Sequence, residues 1–167
     1  MGIIHPEARL NAGRWLLQCG LATLVILAIF LLLDTFLKAS LVAALGATCF
    51  IVFAAPRSQS ARPRVLLGGY LVGTFSGMIC SLLASSSLAS SIGIGQTDLQ
   101  VVLGALAVGL SILVMAFTGT GHPPAAGLAL GFVLSPWDYV TVVLVLSAGV
   151  LLTLARWLLR KVLVDLV

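Results

Sequence analysis

Five long apolar runs, separated by short polar or charged punctuation, set the pattern of the chain: 15–33, 39–55, 65–84, 99–117 and 137–155. Each is close to the ~20 residues that an α-helix needs to cross a hydrocarbon core. The pattern therefore predicts an all-α, polytopic transmembrane bundle with five long spans. The punctuation fits helix ends. Asp34 and Lys38 bracket a first turn, and residues 56–64 form a polar, basic loop with a proline near each end. Thr97 with Gln100 reads as a capping box for the fourth span. Ser135, Pro136 and Asp138 read as N-cap, first-turn proline and first-turn carboxylate of the fifth. Trp15, Trp137 and Trp157 lie at span ends, where amphipathic rings favour the headgroup level.

A sixth segment breaks the pattern. Residues 118–135 hold Gly121-His122-Pro123-Pro124 and then an apolar stretch too short to span. Proline stops the preceding helix and is pre-organised for the first turn of the next. A half-helix launched from a backbone break is expected there. Irregular backbone at membrane depth is tolerated only where protein buries it or where it lines a watery cavity. The break is thus the first place to look for function.

Composition narrows the class. Of 167 residues, 60% are hydrophobic and 8% charged, and the mean hydropathy is +1.20; soluble domains carry roughly 25% charged residues. No room remains for a soluble catalytic or nucleotide-binding domain beside the spans. Nucleic acid is not an expected partner, since no basic stripe follows a polar helix face. Arg9 and Arg14 imitate the start of a signal peptide, but the run behind them is too long and lacks a small-residue cleavage site. Cys19, Cys49 and Cys80 are scattered through apolar runs and read as small hydrophobes.

Arginine and lysine orient the chain. Arg9 and Arg14 precede the first span, Arg57, Arg62 and Arg64 follow the second, and Arg156, Arg160 and Lys161 follow the last. The positive-inside rule puts all three groups in the cytoplasm. The expected organisation is a cytoplasmic segment 1–14, a transmembrane domain 15–155 and a cytoplasmic tail 156–167. Three crossings cannot join a cytoplasmic second loop to a cytoplasmic tail, so residues 118–135 are expected to supply a fourth. A half-helix of about 16 Å plus an extended limb of roughly 20 Å is long enough. A re-entrant dip is the competing picture.

The chemistry gathers at the break. A half-helix starting at Pro123 aims its amide groups and positive dipole end inward, an arrangement that attracts anions. Thr118 and Thr120 add hydroxyls, and Gly121 lets a ligand approach the backbone. His122 can donate a hydrogen bond or carry a proton. The second Gly/Pro interruption, from Gly46-Ala47-Thr48 to Pro56 and Pro63, is expected to face it from the other half of the chain. Arg57, Arg62 and Arg64 form an electropositive mouth, with Arg64 in a first helical turn where a shared anion would relieve the unfavourable dipole. Gly69, Gly73, Gly77 and Ser81 recur at every fourth position of the third span. That ridge serves either packing within one chain or a seam between copies, and a homo-oligomer (dimer or trimer) is expected because one copy has little interior. The run 85–91 reads as an ordinary loop.

Gly46-Ala47-Thr48, Ile51, Phe53-Ala54, Pro56 and Ser58, then Pro63-Arg64 and Gly69, then Thr118, Thr120 and His122-Pro123-Pro124-Ala125, together resemble the HPP family of integral membrane proteins. The resemblance runs from about Leu45 to Leu154. It implies a compact membrane domain of about four helices plus a variable extra one. Plastid and cyanobacterial members are associated with nitrite transport. Arg62, Val65 and Tyr70 depart from the pattern, standing where Gln, Asn and His are usual. No plastid transit peptide is recognisable, so the resemblance implies a prokaryotic plasma-membrane, multi-pass protein.

The expectation is a transporter or channel for a small monovalent anion, nitrite first. Thr118, Thr120, Gly121, His122, Pro123, Pro124 and Arg64 would bind it; Arg57, Arg62 and Thr48 would guide and select it. His122→Ala is expected to matter more than Arg156→Ala. An enzyme is not expected, because two histidines, three isolated cysteines and five acidic residues offer no metal cluster, cofactor site or nucleophile–base pair. The alternative is an assembly subunit docking a partner through Gly69, Gly73 and Gly77.

Overall fold

The computed structural model describes residues 12–32, 39–86, 93, 95–135 and 137–167. The expectations for the segment before residue 12, the turn at Asp34 and Lys38, residues 87–92 of the serine-rich loop and Pro136 lie outside these residues. Among the described residues the chain is all helical: α1 Ala12–Leu32, α2 Ala39–Ala54, α3 Pro63–Ala84, α4 Gln96–Thr118, α5 Pro123–Leu134 and α6 Tyr139–Leu159. A 3-10 turn at Gln59–Ala61 lies between α2 and α3. Helices α1, α3, α4 and α6 are long and apolar enough to cross a membrane, whereas α2 and α5 are apolar but shorter.

Local chemistry explains the ends. Proline opens both α3 and α5, where a missing N–H costs nothing and a fixed φ already suits the helix. Helix α4 stops at Gly119, whose φ of +64 is left-handed, and the N–H groups of Gly119 and Thr120 both return to the Met115 carbonyl. Asp138, not Ser135, caps α6: its Oδ1 accepts from the Thr141 N–H at 2.8 Å and the Thr141 hydroxyl at 2.7 Å. Only the residue just before the first turn can reach that N–H, and Ser135 instead closes α5. The capping box at Thr97 does not form. Helix α4 starts earlier, with Gly95 as its N-cap, and the Gln96 side chain bonds the Ala84 carbonyl.

Contacts fix the directions. Gly69 lies on His122, Gly73 on Ala125, Gly77 on Ala129 and Phe132, and Ser81 accepts from the Trp137 indole at 2.8 Å, so α5 runs parallel to α3. Thr48 meets His122 while Ala44 meets Gly127, so α2 runs against both. Gln96 beside Ala84 and Thr120 beside Gly68 make α4 antiparallel to α3. Tyr70 against Gly149, with Arg156 on the Pro56 carbonyl, does the same for α6. Successive helices therefore alternate in direction. Arg14, the 55–62 loop with its arginines, Arg156, Arg160 and Lys161 share one end; Asp98 and Asp138 share the other.

Helix α3 is the hub, with 56% of its apolar window buried against 11% for α1. Its glycine ridge faces α5. A Cβ added at Gly77 would lie 2.7 Å from the Ala129 carbonyl oxygen, and one at Gly73 would strike the Ala125 carbonyl. The ridge is spent inside the protomer and is not free to dock a partner, which corrects the alternative of an assembly surface at Gly69, Gly73 and Gly77. Leu45, Val52, Leu66, Leu128, Phe132, Val145 and Leu152 fill the space between α2, α3, α5 and α6. The outward face is apolar too: Leu24, Phe50, Phe75, Ile112 and Val143 are exposed, as lipid contact requires. At the basic end the buried Gln18 amide bonds the Phe53 and Val164 carbonyls, and its oxygen accepts from the Val164 N–H at 3.0 Å. The tail is thereby tied across the end of α2.

Candidate functional site

The two interruptions of the helical pattern meet. His122 sits as the N-cap of α5 in extended backbone, with its side chain 1% exposed. Its Nδ1 is 3.0 Å from the Ser60 carbonyl of the 55–62 loop. A carbonyl only accepts, so Nδ1 carries a hydrogen. Ser60 then donates from Oγ to the Gly121 carbonyl at 3.1 Å. The 55–62 loop is thus latched onto the break from the basic end by two bonds through one residue. Arg156 holds the same loop, with Nε and Nη2 on the Pro56 carbonyl at 3.2 and 2.6 Å. That makes Arg156 a support of the 55–62 loop rather than a bystander in the tail.

On the inner side of the imidazole, Nε2 lies 3.1 Å from the Thr48 hydroxyl. Thr48 also accepts from the Tyr70 hydroxyl at 2.9 Å and lies 3.0 Å from the Ala44 carbonyl. The Tyr70 and His122 rings stand 5.7 Å apart. Tyr70, Thr48 and His122 are each 1% exposed or less. Tyr70, a departure from the family pattern, therefore returns a hydroxyl to the cluster. Sequence reasoning missed that role; the signal was a tyrosine directly after Gly68-Gly69, at the start of the glycine ridge.

The remaining expected residues divide. Thr118 and Thr120 spend their hydroxyls locally: Thr118 bonds the Val114 carbonyl at 2.8 Å, and the two hydroxyls pair at 2.7 Å. The half-helix start is poorer in donors than expected, because Pro123 and Pro124 have no N–H and the Ala125 N–H returns to the His122 carbonyl at 2.9 Å. What is left is consecutive: among the described residues, the backbone N–H groups of Gly121 and His122 have no partner. A groove of about 400 Å³ opens there, lined by Ile112, Met115, Ala116, Gly121, His122, Pro123 and Ala126. Pro124 is buried behind it.

The arginines stay apart from the imidazole. Arg62 and Arg64 are exposed at the start of α3, and no described contact joins either to the break. Arg57 is largely exposed and pairs with Asp165 at 3.6 Å, its N–H donating to the same carboxylate at 3.0 Å. No described contact brings any of the three to the latch. Two hydroxyls, Ser58 in the loop and Thr74 one turn beyond Tyr70, are buried without a partner among the described residues, an arrangement that costs free energy unless something polar visits. No group of metal-binding side chains occurs among the described residues.

A buried polar relay at a His-Pro-Pro break, closed by a Pro-bounded loop, is thus the centre of the fold. No curated protein and no solved structure matches the chain. The family described as HPP, transmembrane region, matches residues 7–164, nearly the whole length, and the chain belongs to that family.

Proposed function

We propose that this protein moves a small monovalent anion, nitrite first, across a prokaryotic plasma membrane, as a conduit and not as an enzyme. All six described helices cross, α5 serving as a broken crossing. The alternation of directions and the collection of basic residues at one end support that reading, with the basic end cytoplasmic. The observation that carries the proposal is the pair of N–H groups at Gly121 and His122 without a partner among the described residues, on two residues that line a groove. Backbone donors beside a helix start attract anions, and the exposed arginines draw them to that end.

The conformation described is closed. The 55–62 loop covers the break from the basic end, and the glycine ridge seals α3 against α5 beyond it. Passage requires the Ser60 latch to open. The buried hydroxyls of Ser58, in the same loop, and Thr74, a turn beyond Tyr70, are without a partner among the described residues and are available to a passing polar solute. A second copy is expected to cover the apolar flank beside the groove.

Uptake into proteoliposomes is the direct test. Nitrite, nitrate, formate and chloride are offered in turn, and nitrite is expected to enter fastest. His122→Ala should lower the rate by about tenfold or more, since it leaves buried polar partners unsatisfied. Arg160→Ala, an exposed cation over the Trp157 ring, should leave it unchanged. No flux of any of the four anions with intact protein would end the proposal.

A further inference from the structure

We infer that His122 carries a proton together with the anion, so that the pair crosses as a neutral unit. This rests on the anion reading above and deepens it. The argument is a count of hydrogens. Nδ1–H is committed to the Ser60 carbonyl at 3.0 Å, leaving Nε2 as the only nitrogen that can change state. Nε2 faces Thr48 Oγ1 at 3.1 Å. Thr48 has one hydrogen and two acceptors within reach, Nε2 and the Ala44 carbonyl at 3.0 Å. Its oxygen already accepts from Tyr70.

With neutral imidazole, the Thr48 hydrogen points to Nε2. When Nε2 takes a proton, the new N–H donates to Thr48 Oγ1, and the Thr48 hydrogen turns to the Ala44 carbonyl. No heavy atom needs to move, and both imidazole nitrogens keep a hydrogen bond in either state; the Thr48 bond to the Ala44 carbonyl is made only in the charged one. A histidine that merely fastened a loop would need one state only. Burying an ion normally carries a large penalty unless it is hydrogen-bonded and paired; here the hydrogen bonds are ready and the pairing is left open.

The surrounding charges leave it open. From α3, Tyr70 faces the ring, and Arg64 is exposed at the helix start. From the loop, Arg57 and Arg62 point to solvent, and Asp165 of the tail is taken by Arg57. On α2, Cys49 turns toward the Ala22 carbonyl of α1. Helix α5 offers no titratable group, Asp98 and Asp138 are at the far end, and Arg156 is on Pro56. Among the described residues no carboxylate meets the imidazolium. The anion at the Gly121 and His122 N–H groups is its counter-ion, so each favours binding of the other, as linkage requires.

Proteoliposomes loaded with a pH indicator and given a nitrate gradient test this, protein-free vesicles correcting for passive acid leak. The expected result is internal acidification in step with nitrate uptake. Thr48→Val should slow both by about tenfold, the consequence of an unsatisfied buried nitrogen, while Thr48→Ser keeps both near wild type. Nitrate uptake that proceeds without acidification, or nitrite uptake with nitrate excluded and no acidification, overturns the inference and leaves the anion reading intact; no uptake of any of the four anions overturns both. A second measurement needs no variant. Nitrogen-15 spectra of the imidazole in bilayers should show the Nδ1–H form at high pH, and uptake of the second proton at a higher pH when nitrate is saturating. A titration indifferent to nitrate overturns the inference.

Discussion

Ser60 and Gln18 do comparable work at the basic end, each tying distant backbone together through one residue. Gln18 spends its whole amide on the end of α2 and on the tail. Gln18→Leu removes those bonds and leaves the Phe53 and Val164 carbonyls buried without a side-chain donor. The expected cost is about 1–3 kcal/mol, the usual penalty for a stranded buried polar group. Thermal unfolding in detergent measures it; a midpoint equal to that of wild type would contradict the clasp. His122 was legible in the sequence because an ionisable group beside two prolines stands out in an apolar chain. Ser60 was not, since its bond to His122 is made by a backbone carbonyl, which leaves no trace in composition, and its hydroxyl is one of two serine hydroxyls in a short polar loop. Gln18 left a signal, a lone amide within an apolar run, that charge counting passes over. Arg64 was legible as a first-turn cation, but a first turn fixes only where the backbone starts, and the side chain goes to solvent.

Among the helices, α3 and α5 act as one unit because small residues let their backbones close up. Gly73 and Gly77 have α5 backbone atoms where a side chain would begin, whereas Gly20 and Gly109 have nothing within 4 Å. Gly73→Ala or Gly77→Ala should therefore destabilise the protein by about 1–3 kcal/mol or more through overpacking. Gly20→Ala and Gly109→Ala should be neutral or slightly stabilising, since alanine suits a helix interior better. Parallel melting curves of the four variants decide it, and equal shifts would contradict the ridge. The every-fourth-residue spacing announced the ridge, yet it left two partners open, a helix of the same chain or another copy. Spacing reports that a surface is smooth; it does not report what lies on it. The caps at Thr97 and Ser135 went astray for a related reason, because a capping residue is defined by where the helix begins and apolar runs blur that point by a residue or two.

Over the whole molecule, the arginine and lysine pattern demands an even number of crossings after the second loop; the described helices alternate in direction, and the proposed topology takes each of them as a crossing. Single cysteines at Gln59, Thr97 and Lys161, each in a background without native cysteine, test the arrangement with a membrane-impermeant thiol reagent. Gln59 and Lys161 should label from the cytoplasmic side and Thr97 from the opposite one. Labelling of Lys161 and Thr97 from the same side would make residues 118–135 a dip. The expectation that the two interruptions face each other holds, with Thr48 3.1 Å and the Ser60 carbonyl 3.0 Å from the imidazole; which atoms make the contact is what nothing local in either segment encodes.

The account turns on the break being the passage and the 55–62 loop being its cover. Ser60→Cys with Gly121→Cys places two thiols where Oγ now bonds the Gly121 carbonyl at 3.1 Å, and a Cβ at Gly121 meets nothing within 4 Å. Nitrite uptake measured on this double variant, oxidised and then reduced in the same vesicles, is the most direct test. The prediction is a flux that stops on oxidation and returns on reduction, with either single variant insensitive to both treatments. A cross-linked protein that carries nitrite as fast as the reduced one would contradict the account.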